Sequence, residues 1–214
     1  MAADLSRLRG DYLELVRTGS REEALTLVLE PLAQGDIDLA SFYDDVLGPV
    51  AARVGDLWHA GAMTVAEEHY ATATNREARV RARALFRPAE PRGARLLLAC
   101  APEEQHDLGL QMAGDVLELA GYETTVLGMR TPARDLASYA GAIDPSAVVV
   151  SCSTPITVTG LIESVQLCRE RGFPVVVGGS AVRDYPAVAR AAGADATCSR
   201  TADVVGTLEA LLSS

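Results

Sequence analysis

From residue 94 onward, short apolar runs alternate with segments of helical periodicity, and this alternation limits the possible folds more than any other feature. The runs cover residues 96–101, 123–127, 147–151, 174–177 and 196–198, and the helical segments cover about 110–120, 133–140, 158–171, 182–192 and 203–212. Strand–helix units with short, Val-rich strands are typical of a parallel sheet covered by helices on both faces. The sequence therefore predicts a five-stranded parallel α/β domain over residues 94–214.

Residues 1–87 have helical spacing and no convincing strand, so they are expected to form a separate all-α domain. The predicted helices cover 5–18, 22–33, 39–58 and 65–86. Four helices with short connections predict an antiparallel bundle. The segment 87–93 contains two prolines and a glycine without apolar periodicity, which marks it as a linker.

Local signals predict where two of these helices begin and where one bends. Ser20 and Thr64 are each followed three residues later by a glutamate, which is the pattern of a capping box. Gly48 and Pro49 lie inside the third predicted helix, so we expect a kink there.

Charge and composition limit the partners that the chain can have. The formal net charge of -10 disfavours direct binding to nucleic acid, which needs clustered positive charge. The first seven residues lack the apolar core that a signal peptide has, and no apolar run reaches the ~18 residues that a membrane span needs. We therefore expect a cytoplasmic protein that does not bind membranes. The four cysteines form no CxxC pair, which indicates neither a zinc site nor a redox motif.

Three loops are expected to meet at the edge of the sheet where parallel α/β sheets bind ligands. His106 follows the first strand, Ser151–Pro155 the third, and Gly178–Ser180 the fourth. A loop histidine can bind a metal through one ring nitrogen while a carboxylate, here Glu104, orients the other. Small residues let a bulky ligand approach the backbone. Taken alone, His106 could equally be a loop residue without a task.

The same loops argue against common ligand sites of this fold class. No GxGxxG motif follows the first strand, and Gly128-Met129-Arg130 follows the second where a dinucleotide site would need an acid. There is no P-loop. A phospho-receiver domain would need an aspartate at the end of the third strand, where this chain has Ser151.

Three motifs in these loops resemble the signatures of the cobalamin-binding Rossmann-like (flavodoxin-like) fold. They are Glu104-x-His106-x-x-Gly109, Ser151-x-Ser153 and Gly178-Gly179. The resemblance implies that His106 replaces the dimethylbenzimidazole base as lower axial ligand of cobalt. The displaced nucleotide tail would lie beside the serine and double-glycine segments. The family usually has aspartate where this chain has Glu104, and Ser153 is an unusual third residue of the serine motif.

The helical domain carries a second resemblance, a Trp-x9-Glu-His pattern formed by Trp58, Glu68 and His69. This pattern is similar to the cap bundle of CarH-type light-sensing regulators, which bind adenosylcobalamin. It implies that Trp58 and Val65 pack against the 5'-deoxyadenosyl group, that Glu68 bonds its ribose, and that His69 lies near the ligand. His59 would take the upper cobalt position after light breaks the Co–C bond. The alternative is a core tryptophan beside a surface histidine.

Together these resemblances imply a light sensor, not an enzyme, that binds adenosylcobalamin between the helical cap and the sheet domain. Photolysis would change domain packing or oligomeric state, and the family's assembly is a head-to-tail homodimer. CarH-type regulators also carry an N-terminal MerR-like DNA-binding domain, which this sequence does not show. We therefore expect a sensor module that signals to a partner, whose identity the sequence does not indicate.

Three other interpretations remain open. Some photoreceptors of this architecture also bind biliverdin, whose propionates could pair with a series of arginines, although such a series more often forms a solvated helix face or an interface. The arginines are Arg76, Arg79, Arg81, Arg83 and Arg87. A corrinoid carrier for methyl transfer shares the architecture but usually has Lys-Asn where Leu110-Gln111 stand here. The third possibility is an α/β binding module that does not bind cobalamin.

Overall fold

Contacts within the chain separate it into two units, one ending at Arg87 and the other beginning at Pro88. The structure is a computed structural model that describes residues 4–213. The described part of the first unit, the helical unit, contains only helices, and the second, the sheet unit, contains a five-stranded parallel sheet. The predicted fold class is thereby confirmed. None of the helices in residues 4–213 has the length and apolar character needed to cross a membrane.

The helical unit consists of helices joined by short connections. They are α1 (Leu5–Arg17), α2 (Arg21–Gln34), α3 (Leu39–Phe42), α4 (Gly48–His59) and α5 (Val65–Arg83). Their core is mostly apolar, and within it the buried Tyr12 hydroxyl donates to Asn75 Oδ1 at 2.9 Å. Burial raises the pKa of the Tyr12 hydroxyl above its ordinary range, so it stays protonated as a donor.

Only one of the two predicted capping boxes is present. Thr64 Oγ1 accepts from the Glu67 amide at 3.3 Å, and Glu67 Oε2 accepts from the Thr64 amide at 2.7 Å. Ser20 precedes α2 as expected, but its side chain makes no capping hydrogen bond. The prediction of a box at Ser20 was therefore wrong, because its backbone (φ -82°, ψ 62°) lies outside the extended conformation that N-cap residues typically adopt.

The predicted irregularity near Gly48 and Pro49 takes the form of a π-helical segment, Tyr43–Leu47, between α3 and α4. The Gly48 amide donates to the Tyr43 carbonyl, five residues earlier. Proline has no N–H and its ring clashes with the carbonyl four residues back, so an α-helical turn cannot continue unchanged through Pro49. The wider π turn accommodates this, and α4 then continues to Trp58 and His59.

The sheet unit is built from five parallel strands in the order β2-β1-β3-β4-β5. The strands are β1 (Arg95–Cys100), β2 (Glu123–Gly128), β3 (Ala147–Ser151), β4 (Val175–Gly178) and β5 (Ala196–Cys198). This is the flavodoxin-like order, in which the direction of strand addition across the sheet reverses between β1 and β3. Every strand ends at the same edge, so the loops after β1, β2, β3 and β4 are neighbours.

Helices cover both faces of the sheet, as the Val-rich strands predict. They are α6 (Leu108–Leu119), α7 (Ala133–Ile143), α8 (Val158–Glu170), α9 (Ser180–Asp184), α10 (Ala187–Ala192) and α11 (Val204–Leu212). Side chains of β1 alternate between faces: Leu97 joins the core formed with α7 and α8, whereas Leu96 and Leu98 join the core formed with α6 and α11.

Two details of the sheet unit differ from the sequence interpretation. The single helix expected over 182–192 is divided into α9 and α10, because Tyr185 precedes Pro186 and has a non-helical backbone (φ -129°, ψ 76°). The segment 88–93, expected as a linker, packs on the sheet unit: the Arg92 guanidinium pairs with Glu209 and lies over the Tyr122 ring, 5.2 Å from its centroid.

Candidate functional site

Glu104, in the loop after β1, has a side chain with no solvent exposure, although it ends in a carboxylate. Its Oε1 accepts hydrogen bonds from the backbone amides of Gln105 and His106, both at 2.9 Å. The same oxygen lies 2.6 Å from His106 Nδ1. This half of the carboxylate therefore fixes both the backbone and the ring of His106.

The other oxygen of Glu104 is held by the loop after β3. Oε2 accepts from the amides of Ser153 (2.8 Å) and Thr154 (2.9 Å). It also accepts from the hydroxyls of Thr154 (3.0 Å) and Thr157 (3.1 Å). One buried carboxylate thus joins the histidine loop to the serine loop.

These contacts determine the charge of Glu104 and the tautomer of His106. Burial alone would raise the pKa of the Glu104 carboxyl, but the hydrogen bonds from His106, Ser153 and Thr154 outweigh it and hold that pKa far below its ordinary range. An ionised carboxylate can only accept, so Nδ1 of His106 carries the proton. Nε2 is then the nitrogen with the lone pair that a metal requires.

The position of His106 fits axial coordination of a metal. Its side chain is 67% exposed at the edge of the sheet, while its carboxylate partner is wholly buried. Within residues 4–213, no group of three or more His, Cys, Asp or Glu side chains is arranged to hold a metal ion. His106 instead offers a single oriented nitrogen, which is what a metal already surrounded by a macrocycle takes from a protein.

The serine and double-glycine loops contact each other directly. Ser180 Oγ donates to the Ser153 carbonyl at 2.9 Å, and the Cys152 amide donates to the Gly178 carbonyl at 2.9 Å. A Cβ atom at Gly179 would lie 2.3 Å from the Cys152 carbonyl oxygen. Only glycine permits this approach, especially at the Gly179 φ of +97°. The glycines therefore bring the ends of β3 and β4 together.

Ser151 and Gly109 take less part in this network. Ser151 is buried at the end of β3, and its carbonyl accepts from the Ala101 amide at 2.9 Å. Gly109 lies in the first turn of α6, and a Cβ atom there would have no neighbour within 4 Å.

The loop after β2 adds a third side to the site. The Arg130 amide donates to the Glu104 carbonyl at 2.9 Å, and the Arg130 guanidinium pairs with Glu103 at 3.0 Å. Both Arg130 and Glu103 have positive φ, at 53° and 64°. Such strained backbone in non-glycine residues concentrates at functional sites because the surrounding contacts must hold it in place.

In the helical unit, a second histidine is also oriented by a hydrogen bond at Nδ1. His59 ends α4, and its Nδ1 lies 2.9 Å from the Gly55 carbonyl, which can only accept. Nδ1 is therefore the protonated nitrogen and Nε2 carries the lone pair. The Trp58 ring packs edge-on against the His59 ring, with centroids 4.6 Å apart, and Trp58 itself remains exposed.

The remaining cap residues lie in the first turns of α5. Val65 is its first residue and is exposed. Glu68 Oε2 lies 2.6 Å from His69 Nδ1, and Thr72 Oγ1 donates to Glu68 Oε1 at 2.7 Å. Helices α4 and α5 pack against each other, so the end of one and the start of the other belong to the same antiparallel pair.

The hydrogen bonds of Thr154 and Thr157 to Glu104 were not predicted from the sequence, which singled out Thr154 only as part of the loop 151–155 and Thr157 not at all. Both hydroxyls bond Glu104, and Thr157 is buried. The signal was the departure from the family motif. Glutamate is one methylene longer than the usual aspartate, and it ends among donors of the neighbouring loop.

Comparison with known proteins identifies both units. The B12 binding domain family matches residues 94–209, and a second B12 binding domain family matches residues 8–79. The chain is 37% identical over 152 residues to the HTH-type transcriptional repressor CarH of Myxococcus xanthus, covering 68% of this chain and 49% of that protein. It is 31% identical over 186 residues to the HTH-type transcriptional repressor CarA of the same organism, covering 85% and 61%.

The chain thus spans about half to three fifths of the length of these relatives. The Methanosarcina barkeri monomethylamine corrinoid protein has the same fold, with a TM-score of 0.76 and 17% identity over 96% of this chain and 99% of that one. The family match covers more than half of the residues. The chain therefore belongs to the B12 binding domain family, and it is a cobalamin-binding protein.

Proposed function

We propose that this chain is a light sensor that binds adenosylcobalamin, with His106 as the lower axial ligand of cobalt. The observation that carries the proposal is the orientation of His106 by a wholly buried, ionised Glu104, which presents Nε2 as the coordinating nitrogen. When bound, this cofactor supplies a Co–C bond that visible light can break. The 37% identity to CarH supports the same assignment.

The cap residues supply the other half of the proposal. Trp58 and Val65 are exposed apolar side chains, suited to pack against the adenosyl group. Glu68 is suited to accept a hydrogen bond from the ribose, and His69 stands beside it. His59, with Nδ1 held by Gly55, offers Nε2 to the upper face of the cofactor once the adenosyl group has left.

The signal would be a change in packing or in oligomeric state. Loss of the adenosyl group would remove the ligand that Trp58, Val65 and Glu68 are proposed to contact, and the packing of the helical unit would change as a result. The proposed dark assembly is a head-to-tail homodimer, and the output is read by a partner protein.

A spectroscopic experiment tests the proposal. The protein is loaded with adenosylcobalamin in the dark, illuminated with green light, and followed by absorption and by molar mass in solution. We expect a lasting spectral change together with a change in mass. Hydroxocobalamin, which has no alkyl group to lose, provides the control. A holoprotein that returns to its dark spectrum and mass would overturn the light-sensor proposal.

His59→Ala tests the role of the upper histidine separately. We expect the variant to bind adenosylcobalamin in the dark as the unsubstituted protein does, because His59 is exposed on α4. After illumination its spectrum should lack the signature of two imidazole ligands. A normal bis-imidazole spectrum from His59→Ala would assign the upper ligand to another residue, for which His69→Ala is the next variant.

A corrinoid carrier for methyl transfer is the second candidate, favoured by the fold shared with the monomethylamine corrinoid protein. That likeness concerns the fold alone, and Leu110-Gln111 depart from the usual carrier motif. Loading with methylcobalamin and mixing with methyl acceptors in the dark distinguishes the two. Transfer of the methyl group in the dark, dependent on an added partner methyltransferase, would favour the carrier.

Biliverdin as a second chromophore is a variant of the sensor proposal. Arg81 on α5 already pairs with Glu77, at 2.5 Å, and with Glu22, at 3.8 Å. The Arg83 guanidinium donates to the Phe86 carbonyl at 3.1 Å. Propionates would have to compete with these partners. Appearance of a red-shifted band on adding biliverdin, and its loss in Arg87→Ala, would support the variant.

A further inference from the structure

Two exposed apolar side chains stand on either side of the His106 loop. Ile156 lies in the single 3-10 turn after β3 and is 89% exposed, while Met129 lies in the turn after β2 and is 46% exposed. Strand β1, which leads to His106, lies between β2 and β3 in the sheet. The two side chains therefore flank the histidine from opposite directions along the edge of the sheet.

Hydrogen bonds fix both turns to the residue that orients His106. Thr154 and Thr157, on either side of Ile156 in sequence, both donate their hydroxyls to Glu104 Oε2. Arg130, next to Met129, donates its amide to the Glu104 carbonyl. Neither turn can move without disturbing Glu104, so Ile156 and Met129 have defined positions relative to the imidazole.

Single exposed apolar residues are common on protein surfaces, but this pair has a specific setting. The two side chains are anchored, lie on both sides of a metal-binding nitrogen, and occupy the edge where this fold class binds ligands. A planar macrocycle held at its centre by one imidazole could tilt about that bond. Apolar contacts on two sides of the bond oppose the tilt and remove hydrocarbon from water.

We propose that Ile156 and Met129 form a platform for the lower face of the corrin ring. The assignment rests on cobalamin binding with His106 as lower ligand, and it adds two residues that none of the cobalamin motifs contains. The ligand class is the ring itself, independent of the nucleotide tail and of the upper ligand.

Binding of two corrinoids in the dark tests the platform. The variants are Ile156→Asn and Met129→Gln, which remove the apolar ends without adding charge beside Glu104. The probes are cobalamin and cobinamide, which has the corrin ring but no nucleotide tail. We expect the dissociation constant of each variant to rise roughly tenfold for both probes, from the apolar area that stays in water.

Leu212→Gln provides the matched control, because Leu212 is comparably exposed, at 37%, but is the last residue of α11 and belongs to none of the loops at the strand ends. Unchanged affinities in Ile156→Asn and Met129→Gln would overturn the platform. A loss for cobalamin but not for cobinamide would also overturn it, since the side chains would then contact the tail. If the unsubstituted protein binds neither probe, cobalamin binding and the platform are both refuted. If it binds both probes but shows no light response, only the light-sensor proposal is refuted, and the dark affinities of the variants still decide the platform.

Discussion

At the scale of single residues, Glu104 is the most constrained side chain of the candidate site. A charged carboxylate without solvent contact is unstable unless donors replace the lost water. Here the donors come from two loops, and the extra methylene of glutamate sets Oε2 among those of the second. The same residue therefore positions the imidazole of His106 and fixes the loop after β3 through Oε2.

Glu104→Gln should destabilise the sheet unit by about 3 kcal/mol, because amides and hydroxyls that donate to Oε2 would meet a weaker acceptor or an amide NH₂ group. The free energy of unfolding from urea titration measures the loss. Glu103→Gln is the matched control one residue earlier: its ion pair with Arg130 is exposed, so we expect a change within about 0.5 kcal/mol. Equal losses in Glu104→Gln and Glu103→Gln would mean that the hydrogen bonds of the Glu104 carboxylate do not stabilise the sheet unit more than an exposed ion pair does.

The same carboxylate should make stability depend on acidity. In the folded protein the pKa of Glu104 lies far below the ordinary value of 4.5 that it takes when unfolded. Its contribution is therefore fully present above 4.5 and is lost as the pH falls through the lower folded pKa. Urea midpoints measured from about pH 6 to about pH 3 should show the gap between the unsubstituted protein and Glu104→Gln narrowing. A constant gap would contradict the assigned charge.

At the scale of elements, the sequence predicts features that depend on neighbouring residues better than features that depend on contacts between distant parts of the chain. The strands and most helix ends follow from apolar spacing and glycines, and the three cobalamin motifs identify the loops that meet. The π segment and the break at Pro186 both result from proline geometry. A proline in the sequence shows where a helix is interrupted, but it does not show whether the interruption is a kink, a π turn or a break. The hydrogen bonds of Thr154 and Thr157 could not be predicted, because their acceptor, Glu104, lies some 50 residues earlier in the chain.

The two predicted capping boxes provide an internal comparison. Thr64→Ala removes an observed cap of α5 and should lower the free energy of unfolding of the helical unit by about 1 kcal/mol. Ser20→Ala removes a side chain that caps nothing in the structure, so its effect should be a few tenths of a kcal/mol. Thermal unfolding of both variants gives the answer. A larger loss of stability in Ser20→Ala than in Thr64→Ala would contradict the observation that Thr64 caps its helix and Ser20 does not.

At the scale of the whole molecule, the segment between the two units belongs structurally to the sheet unit. The Ala89 amide donates to the Leu119 carbonyl, and the Arg92 amide to the Gly121 carbonyl, both at 2.8 Å. A Cβ atom at Gly121 would lie 2.2 Å from the Glu90 carbonyl oxygen. Residues 89–92 are therefore held on the sheet unit by backbone contacts.

Gly121→Ala should be costlier than the equivalent change at Gly172. Both glycines follow a helix at positive φ, +91° and +87°, but only Gly121 has a neighbour within 4 Å. We expect about 1 kcal/mol for Gly172→Ala from the backbone conformation alone, and at least about 1 kcal/mol more for Gly121→Ala. Chemical denaturation of the two variants measures the difference. Equal values would show that residues 88–93 do not pack closely on the sheet unit.

The two histidines also differ in the hydrogen-bond partners that orient them. His106 Nδ1 faces an anion, whereas His59 Nδ1 faces a neutral carbonyl. A carboxylate draws the proton toward itself and makes the opposite nitrogen a stronger electron donor than a carbonyl does. Under the proposed function, His106 would be the slowly exchanging ligand and His59 the rapidly exchanging one. If one axial bond is lost after illumination, it would then be the bond of His59, and the lower bond of His106 would persist.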